Sequence, residues 1–284
     1  MKIRKGILLT IMYLVLIIAL VFVFFPVVYM ILGSFKTNME IMTGGASLLP
    51  KTWSMDNYKA IWSASSEFNA PKLFWNSTWY TVISVILTVL NSCLGGYVFE
   101  RGHFKGQKLW FGIFSVLMFV NFGSATIVPQ MNIVSSIGLM GSLWGLVVIS
   151  FFGINVVNFY LVRGFVAGLP REMDEAAAID GCSFFGTFIH IIAPLLKPIV
   201  ATLAMLGFQG TWNSYMMPML FTMSDPSKGT LVSALFSLKS SGNAAANWNI
   251  MLAGSVIASV PVIIVYMFGN KYFMNNLTAG AVKG

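Results

Sequence analysis

Long uncharged stretches alternate with short charged segments along this chain. The uncharged stretches run from Gly6 to Phe35, Leu73 to Phe99, Leu109 to Val162, Pro198 to Ser224 and Ser240 to Asn270. A helix that crosses a bilayer needs roughly 20 mainly apolar residues. Four stretches fit one such helix each, and the third stretch fits two with a turn between them. The pattern predicts six membrane spans, at about residues 7–32, 77–99, 109–128, 143–162, 199–221 and 249–269.

The composition is that of a membrane protein. The 284 residues include only 17 Lys and Arg and 9 Asp and Glu, while 57% are hydrophobic and the mean hydropathy is +0.80. So few polar side chains cannot cover a soluble globule of this size, which excludes an ordinary soluble enzyme and a disordered chain. The net charge of +8 comes without a basic run, so we expect no nucleic-acid partner. We predict an all-α integral membrane protein in which residues 1–284 form a single domain in the lipid bilayer.

The positions of the basic residues predict the orientation, because cytoplasmic loops carry an excess of Lys and Arg. With the N-terminus inside, the inner segments hold Lys2, Arg4, Lys5, Arg101, Lys105, Lys108, Arg163, Arg171, Lys197, Lys271 and Lys283. The outer segments hold fewer, namely Lys36, Lys51, Lys59, Lys72, Lys228 and Lys239. We therefore predict that both termini are cytoplasmic in a multi-pass protein of a bacterial-type plasma (inner) membrane.

The sequence carries no recognisable catalytic or metal-binding pattern. His103 and His190 fall in separate loops without the clustered ligands of a metal site. The His-Glu-x-x-His, Gly-x-Ser-x-Gly and phosphate-binding Gly-x4-Gly-Lys-Ser/Thr motifs are missing from the sequence. We therefore expect no catalytic residue, no metal and no cofactor on this chain. The predicted spans also lack charged residues, which argues against a carrier that is driven by protons or other ions.

The predicted spans do carry neutral amides and aromatic side chains. Candidates for a solute path are Gln209, Trp212, Asn213 and Tyr215, together with Asn155 and Asn158. Amides in hydrocarbon must find hydrogen-bond partners, and aromatic rings offer flat apolar faces. One interpretation is a polar path for an uncharged solute rich in hydroxyl groups. The other is that these side chains join neighbouring helices.

The predicted cytoplasmic loop between spans four and five, residues 163–198, is the densest cluster of charge. Pro170 suits the first turn of a helix, and three acidic residues follow where negative charge meets the positive helix end. The acidic residues are Glu172, Asp174 and Glu175. Three alanines follow, Gly181 is a natural stop, and Ser183 can cap a second helix. We predict a helix of about ten residues, although composition alone also allows a solvated loop.

This loop also contains a recognisable motif. Glu175-Ala-Ala, then Gly181, then Ile191-x-x-Pro194 resembles the EAA loop of binding-protein-dependent ABC importer permeases. That family's pattern is Glu-Ala-Ala, three residues, Gly, nine residues and Ile-x-Leu-Pro, and the only departure is Ala193 in place of Leu. Further matches resemble the carbohydrate branch, most closely the second, six-span permease of maltose-type sugar importers. They are Ser34-Phe-Lys, Leu48-Leu-Pro, Asn57-Tyr, Trp212-Asn213 and the ending Thr278-Ala-Gly-Ala-Val-Lys-Gly284.

The resemblance implies the fold of a type I ABC importer and a coupling role for the EAA loop. Glu175 would pair with a basic residue of an ATPase subunit, with Asp180 beside it on the same helix. Ala176 and Ala177 would pack in the cleft of that subunit, and Gly181 would permit the turn. The implied partners are a homologous second permease, two ATPase subunits that bind ATP and Mg, and an external solute-binding protein.

The function implied is therefore a pore subunit for a sugar or oligosaccharide, with alternating access driven by ATP hydrolysis on another chain. Two alternatives stay open on the sequence. One is a permease of another ABC import branch, for amino acids, peptides or an anion. The other is an ion-coupled secondary carrier that transports without an ATPase.

Overall fold

The structure, a computed structural model, describes residues 2–44, 47–63, 68–120, 122–240 and 248–281. Within these ranges the α-helices are α1 (Lys2–Gly33), α2 (Asn38–Thr43), α3 (Asp56–Trp62), α4 (Ala70–Arg101), α5 (Gln107–Phe119), α6 (Ile127–Ser136), α7 (Trp144–Phe152), α8 (Val156–Ala167), α9 (Glu172–Ile179), α10 (Phe184–Thr187), α11 (Ala193–Leu195), α12 (Lys197–Trp212), α13 (Met216–Phe221), α14 (Leu231–Ser240) and α15 (Trp248–Ala281). Short 3₁₀ turns cover Gly123–Thr126 and Pro226–Lys228, and a π-helix covers Phe188–Ile192. The described residues therefore form an all-helical architecture, as predicted.

Three helices are long and apolar enough to cross a bilayer unaided. They are Leu8–Gly33 within α1, Ala70–Arg101 and Trp248–Gly269 within α15. Two further pairs pass the same test together but bend, by 42° between α7 and α8 and by 76° between Phe184–Leu195 and α12. By length and composition, the described residues thus contain three candidate spans, or up to five if each bent pair is one span.

Spans three to five are not the unbroken helices that hydropathy predicts. For the third, α5 has 13 residues and ends at Phe119, and α6 begins only at Ile127. For the fourth, α7 ends at Phe152 and α8 begins at Val156. For the fifth, α12 ends at Trp212, and the chain turns before α13. These corrections share one cause, because hydropathy measures how apolar a stretch is and does not detect a backbone break inside it.

Side-chain amides satisfy the backbone groups at the break between α7 and α8. The Asn91 side chain on α4 donates to the carbonyl oxygens of Phe151, at 2.5 Å, and of Gly153, at 3.5 Å. On the other side of the break, the Asn155 side chain accepts a hydrogen bond from the backbone N–H of Asn158 at 3.0 Å and so caps α8. Both contacts give backbone groups freed by the break a hydrogen-bond partner within the chain.

The chain divides into two compact units, and the first comprises Met1–Lys72 and Ala234–Val260. Its polar centre is Asn57 on α3, which is buried. The Asn57 amide donates to the carbonyl oxygens of Ser34, at 2.7 Å, and Lys36, at 2.8 Å, just beyond α1. Its own oxygen accepts from the Asn249 side chain on α15 at 2.7 Å. The Ser34-Phe-Lys and Asn57-Tyr motifs therefore meet in one hydrogen-bonded cluster.

The second unit comprises Leu73–Ser233 and Pro261–Gly284. Apolar side chains of α4, α8, the π-helix and α12 form one of its cores, which includes Tyr97, Val162, Ile192 and Leu203. Helices α4 and α8 approach closely at Gly96, where an added Cβ would lie 2.7 Å from Val162 Cγ1. This core holds α8, and with it the start of the 163–198 loop, against the end of α4.

Candidate functional site

The helix predicted in the 163–198 loop is α9, which begins at Glu172, two residues after Pro170, so Pro170 precedes the first turn instead of lying in it. Three acidic residues lie in the first turn of Glu172–Ile179. At the other end Gly181 has φ +80°, the left-handed region that favours glycine. The N–H of Cys182 donates to the Ala177 carbonyl at 2.9 Å, and the N–H of Gly181 donates to the Ala178 carbonyl at 3.1 Å. This pair of bonds is the Schellman motif and ends the helix sharply.

The second helix of the loop also begins where it was predicted. The Ser183 side chain accepts a hydrogen bond from the N–H of Gly186 at 3.1 Å and caps α10. The π-helix and α11 then lead to Leu196, where the chain bends into α12. The EAA motif therefore forms a short helix, a tight turn and a second helix that continues towards α12.

The two faces of α9 differ in exposure. Ala177 is 2% exposed and packs against this chain itself. Glu175, Ala176 and Asp180 are exposed. Ile179 is 86% exposed, although it is a large apolar side chain in a charged loop. Ala177 therefore faces the interior of this chain, whereas Ala176 lies on the accessible face with Glu175.

The inner side of α9 is held by an ion pair that the sequence reasoning missed. Arg101 Nε at the end of α4 lies 3.0 Å from Asp174 Oδ2, and the Arg101 side chain is only 6% exposed. The same guanidinium donates to the carbonyl oxygens of Val166, at 3.1 Å, and Leu169, at 2.6 Å. The sequence indicates Arg101 only as one of the basic residues that predict orientation, and no local pattern links it to an acid so distant in the chain.

A second ion pair lies beside the first. Arg163 Nη2 on α8 is 3.0 Å from Glu100 Oε2 on α4, and the Arg163 guanidinium stacks 4.4 Å from the centre of the Phe111 ring. Glu100 and Arg101 are sequence neighbours, so one turn of α4 carries both pairs. The Glu100 pair joins α4 to α8, whereas the Arg101 pair reaches the EAA helix.

A cavity of about 350 Å³ opens next to α9. Its lining includes Tyr97, Arg101, Arg171, Asp174 and Glu175, so both cationic and anionic groups face it. In the part of the chain that the structure describes, no group of three or more His, Cys, Asp or Glu residues could hold a metal ion. Next to the cavity, Asp174 pairs with Arg101.

The structure brings the predicted path residues together as two local groups. Gln209 and Asn213 are exposed near the end of α12, and the Asn213 N–H donates to the Gln209 carbonyl at 3.2 Å. Tyr215, also exposed, lies just before α13. The second group is Asn155 and Asn158, which the capping bond joins at the start of α8. Both groups therefore sit where a predicted span is interrupted.

Trp212 occupies a different position from its neighbours. It is 1% exposed, and its ring stacks on Phe208 with centroids 5.5 Å apart and an interplanar angle of 13°. Phe74 on α4 contacts it edge-on at 5.6 Å. Trp212 therefore packs the end of α12 against α4 and leaves the adjacent amides to face outward.

Comparison with characterised proteins gives relatives along nearly the whole chain. The chain is 34% identical over 263 residues to the arabinooligosaccharides transport system permease protein AraQ of Bacillus subtilis (strain 168), covering 92% of this chain and 90% of that protein. It is also 34% identical over 263 residues to the probable starch degradation products transport system permease protein AmyC of Thermoanaerobacterium thermosulfurigenes, covering 91% of each. No protein-family model matches the chain.

The solved structures agree in fold. A bacterial ABC transporter involved in the import of the acidic polysaccharide alginate matches with a TM-score of 0.79 and 22% identity, over 95% of this chain and 98% of that chain. The bacterial alginate ABC transporter in complex with alginate pentasaccharide-bound periplasmic protein matches with a TM-score of 0.66 and 15% identity, over 95% of each chain. The chain therefore shares its overall fold with these solved transporters.

Proposed function

Because this chain belongs to the permease subunits of carbohydrate ABC importers, we propose that it forms half of a pore whose other half is a homologous second permease. Two ATPase subunits bind ATP and Mg on the cytoplasmic side, and an external solute-binding protein delivers a sugar or oligosaccharide. The chain itself is a transport subunit, and ATP is hydrolysed on its partners. The observation that carries this assembly is the exposed face of α9, which fits a surface that a partner covers.

We propose that the accessible face of α9 docks on an ATPase subunit. Glu175 and Asp180 supply negative charge, and Ala176 leaves room for close approach. Ile179, 86% exposed, adds an apolar side chain that water would otherwise surround. Covering this side chain with a partner would remove its apolar surface from water, which favours association. Ala177 supports the surface from within, because this chain already covers it.

The topology proposed for this subunit has six spans and cytoplasmic termini in a bacterial-type inner membrane. The third span is α5 extended by the turn at Gly123–Thr126 and α6, and the fourth is the broken pair α7 and α8. This topology puts α9 on the same side as the N-terminus, where the excess of basic residues lies. Accessibility of single cysteines from each side of the membrane measures it.

The assembly is tested by purifying the chain from membranes in mild detergent. We expect the ATPase and a second permease to co-purify, in a ratio of two ATPase copies to one of each permease. Proteoliposomes that contain the complex should take up oligosaccharide only when ATP and the binding protein are present. Uptake by this chain alone, driven by an ion gradient, would contradict the assembly and favour a secondary carrier.

We also propose that Asn213 and Gln209, with Tyr215 and the Asn155–Asn158 pair, line the path of the sugar hydroxyls. Breaks in transmembrane helices expose polar groups where they can serve a solute. Both groups lie at such breaks, and the Gln209 and Asn213 side chains are exposed while Trp212 is buried.

Replacement of Asn213 by leucine should lower ATP-dependent oligosaccharide uptake by about tenfold, because a sugar hydroxyl that passes this point loses its hydrogen-bond partner. ATPase co-purification and the melting temperature should stay unchanged. The matched control is Asn132→Leu, which makes the same change at an exposed asparagine of α6. Equal losses in both variants would mean that Asn213 has no special place in the path.

A further inference from the structure

The Arg101 guanidinium joins three helices at one point. It belongs to the last residue of α4, pairs with Asp174 of α9 at 3.0 Å, and donates to the Val166 and Leu169 carbonyls at the end of α8. Val166 lies in the last turn of α8 and Leu169 two residues beyond it, so these bonds hold the end of α8 against α4. Arg101 thus contributes both a positive charge and the several N–H donors of its planar guanidinium group.

The local chain around α9 contrasts with this fixed point. Gly168 lies shortly before the helix and Gly181 directly after its C-cap, so a glycine stands near each end of α9. Because glycine has the widest backbone freedom, the chain can bend at these two positions when α9 is displaced. The Arg101–Asp174 pair resists that displacement. If the two side chains separate, the Arg101 guanidinium, which is only 6% exposed, is left buried without its counter-ion, and this costs free energy.

We propose that Arg101 and Asp174 are positioning residues that lock the EAA helix to the end of α4, so that α9 and that predicted span move together. The proposal rests on the docking of α9 proposed above and adds the route by which its movement leaves the loop. ATP-driven displacement of α9 then becomes displacement of α4, and α8 follows through its carbonyl contacts. Without the pair, the ATPase still displaces α9, but the chain bends at the flanking glycines and the displacement does not reach α4.

The neighbouring ion pair supplies a matched control. Glu100–Arg163 has the same N–O distance of 3.0 Å, starts from the adjacent residue of α4 and is also partly buried. It ties α4 to α8 but does not reach α9. A variant that breaks it removes an equivalent ion pair from the same turn of α4 and leaves the Arg101–Asp174 pair in place.

The experiment compares Asp174→Asn with Glu100→Gln in the complete complex in proteoliposomes, with the binding protein present. The measured quantity is the number of ATP molecules hydrolysed per oligosaccharide imported. We expect Asp174→Asn to raise this ratio by about tenfold, within the range that coupling between two sites gives. Glu100→Gln should leave the ratio within about twofold of the unmodified complex.

Two further variants separate positioning from simple stability. Asp174→Glu keeps the charge and should bring the ratio back to within about threefold of the unmodified complex. Arg101→Lys keeps the charge but loses the planar guanidinium group, and should raise the ratio by an intermediate factor of about three to five. The melting temperature of each complex shows whether a change in ratio merely follows a change in stability.

The possible outcomes decide the proposal. A normal ratio in Asp174→Asn, or an equal rise in Glu100→Gln, overturns it. Loss of the ATPase subunits from the Asp174→Asn complex also overturns it, since Asp174 would then act in docking. An unmodified complex that retains no ATPase would instead overturn the proposed docking of α9, so the two failures are distinguishable.

Discussion

Uptake of oligosaccharide is expected to fall at least about 100-fold when Glu175 is replaced by lysine, while the protein still inserts in the membrane. Glu175 is exposed on the accessible face of α9, next to Ala176. Lysine would place a positive charge against the basic group proposed on the ATPase, and loss of one partner from an interfacial ion pair costs about 2–5 kcal/mol. The measurement is ATP-dependent uptake in proteoliposomes, with the ATPase that co-purifies quantified in parallel.

Glu172→Lys is the matched control for this prediction. Glu172 lies in the same first turn of α9 and is also exposed, so both variants change the net charge equally and place lysine near the positive helix end. That placement alone costs about 0.3–1 kcal/mol. We expect Glu172→Lys to keep uptake within about threefold. Normal uptake in Glu175→Lys would contradict the docking proposal, and equal loss in both variants would assign the effect to helix stability.

The parts of the site that depend on adjacent residues could be predicted from the sequence. The acids of the first turn, the stop at Gly181 and the cap at Ser183 are all found where the pattern indicated. Each works within a few residues, through a backbone dihedral angle or a side chain that bonds to its own turn. The predicted length of about ten residues compares with eight in α9.

The inward contacts of the site could not be predicted, because they depend on packing between distant segments. From the sequence, Asp174 cannot be distinguished from Glu172 and Glu175, because all three are acids in the first turn of a predicted helix. Only the position of α4 against the loop selects Asp174 as the partner of Arg101. The same packing turns Ala177 inward and leaves Ala176 exposed, a distinction that a run of three alanines does not contain.

The helix breaks escaped prediction for a related reason. Gly153, Ile154 and Asn155 lie within the uncharged stretch from Leu109 to Val162, so hydropathy does not mark them as a break. The break is tolerable because Asn91 on α4 supplies a donor to the freed carbonyls. A sequence window that covers one span contains no information about an amide on another. The apolar helices Leu8–Gly33 in α1 and Trp248–Gly269 in α15 contain no such break, and their bounds lie near the predicted spans at 7–32 and 249–269.

Replacement of Gly96 by alanine should lower the free energy of unfolding of the subunit by about 3 kcal/mol. The new Cβ would lie 2.7 Å from Val162 Cγ1 and 2.9 Å from the backbone nitrogen of Arg163. A side chain can turn away, but the Arg163 nitrogen moves only with α8. The methyl group therefore forces α8 away from α4, and thermal unfolding of the purified protein in detergent measures the cost.

Gly164→Ala is the matched control, because it changes the helix propensity in the same way without creating a close contact between helices. Gly164 lies in the interior of α8, and a Cβ there meets no atom within 4 Å. Alanine should therefore raise stability there by about 0.5–1 kcal/mol, because it loses less conformational freedom on folding. The same substitution on two packed helices thus has opposite expected signs, and a loss of stability in both variants would contradict the close approach.

Since that approach also brings Arg101 to the carbonyls of α8, Gly96→Ala should raise the ATP used per oligosaccharide, whereas Gly164→Ala should not.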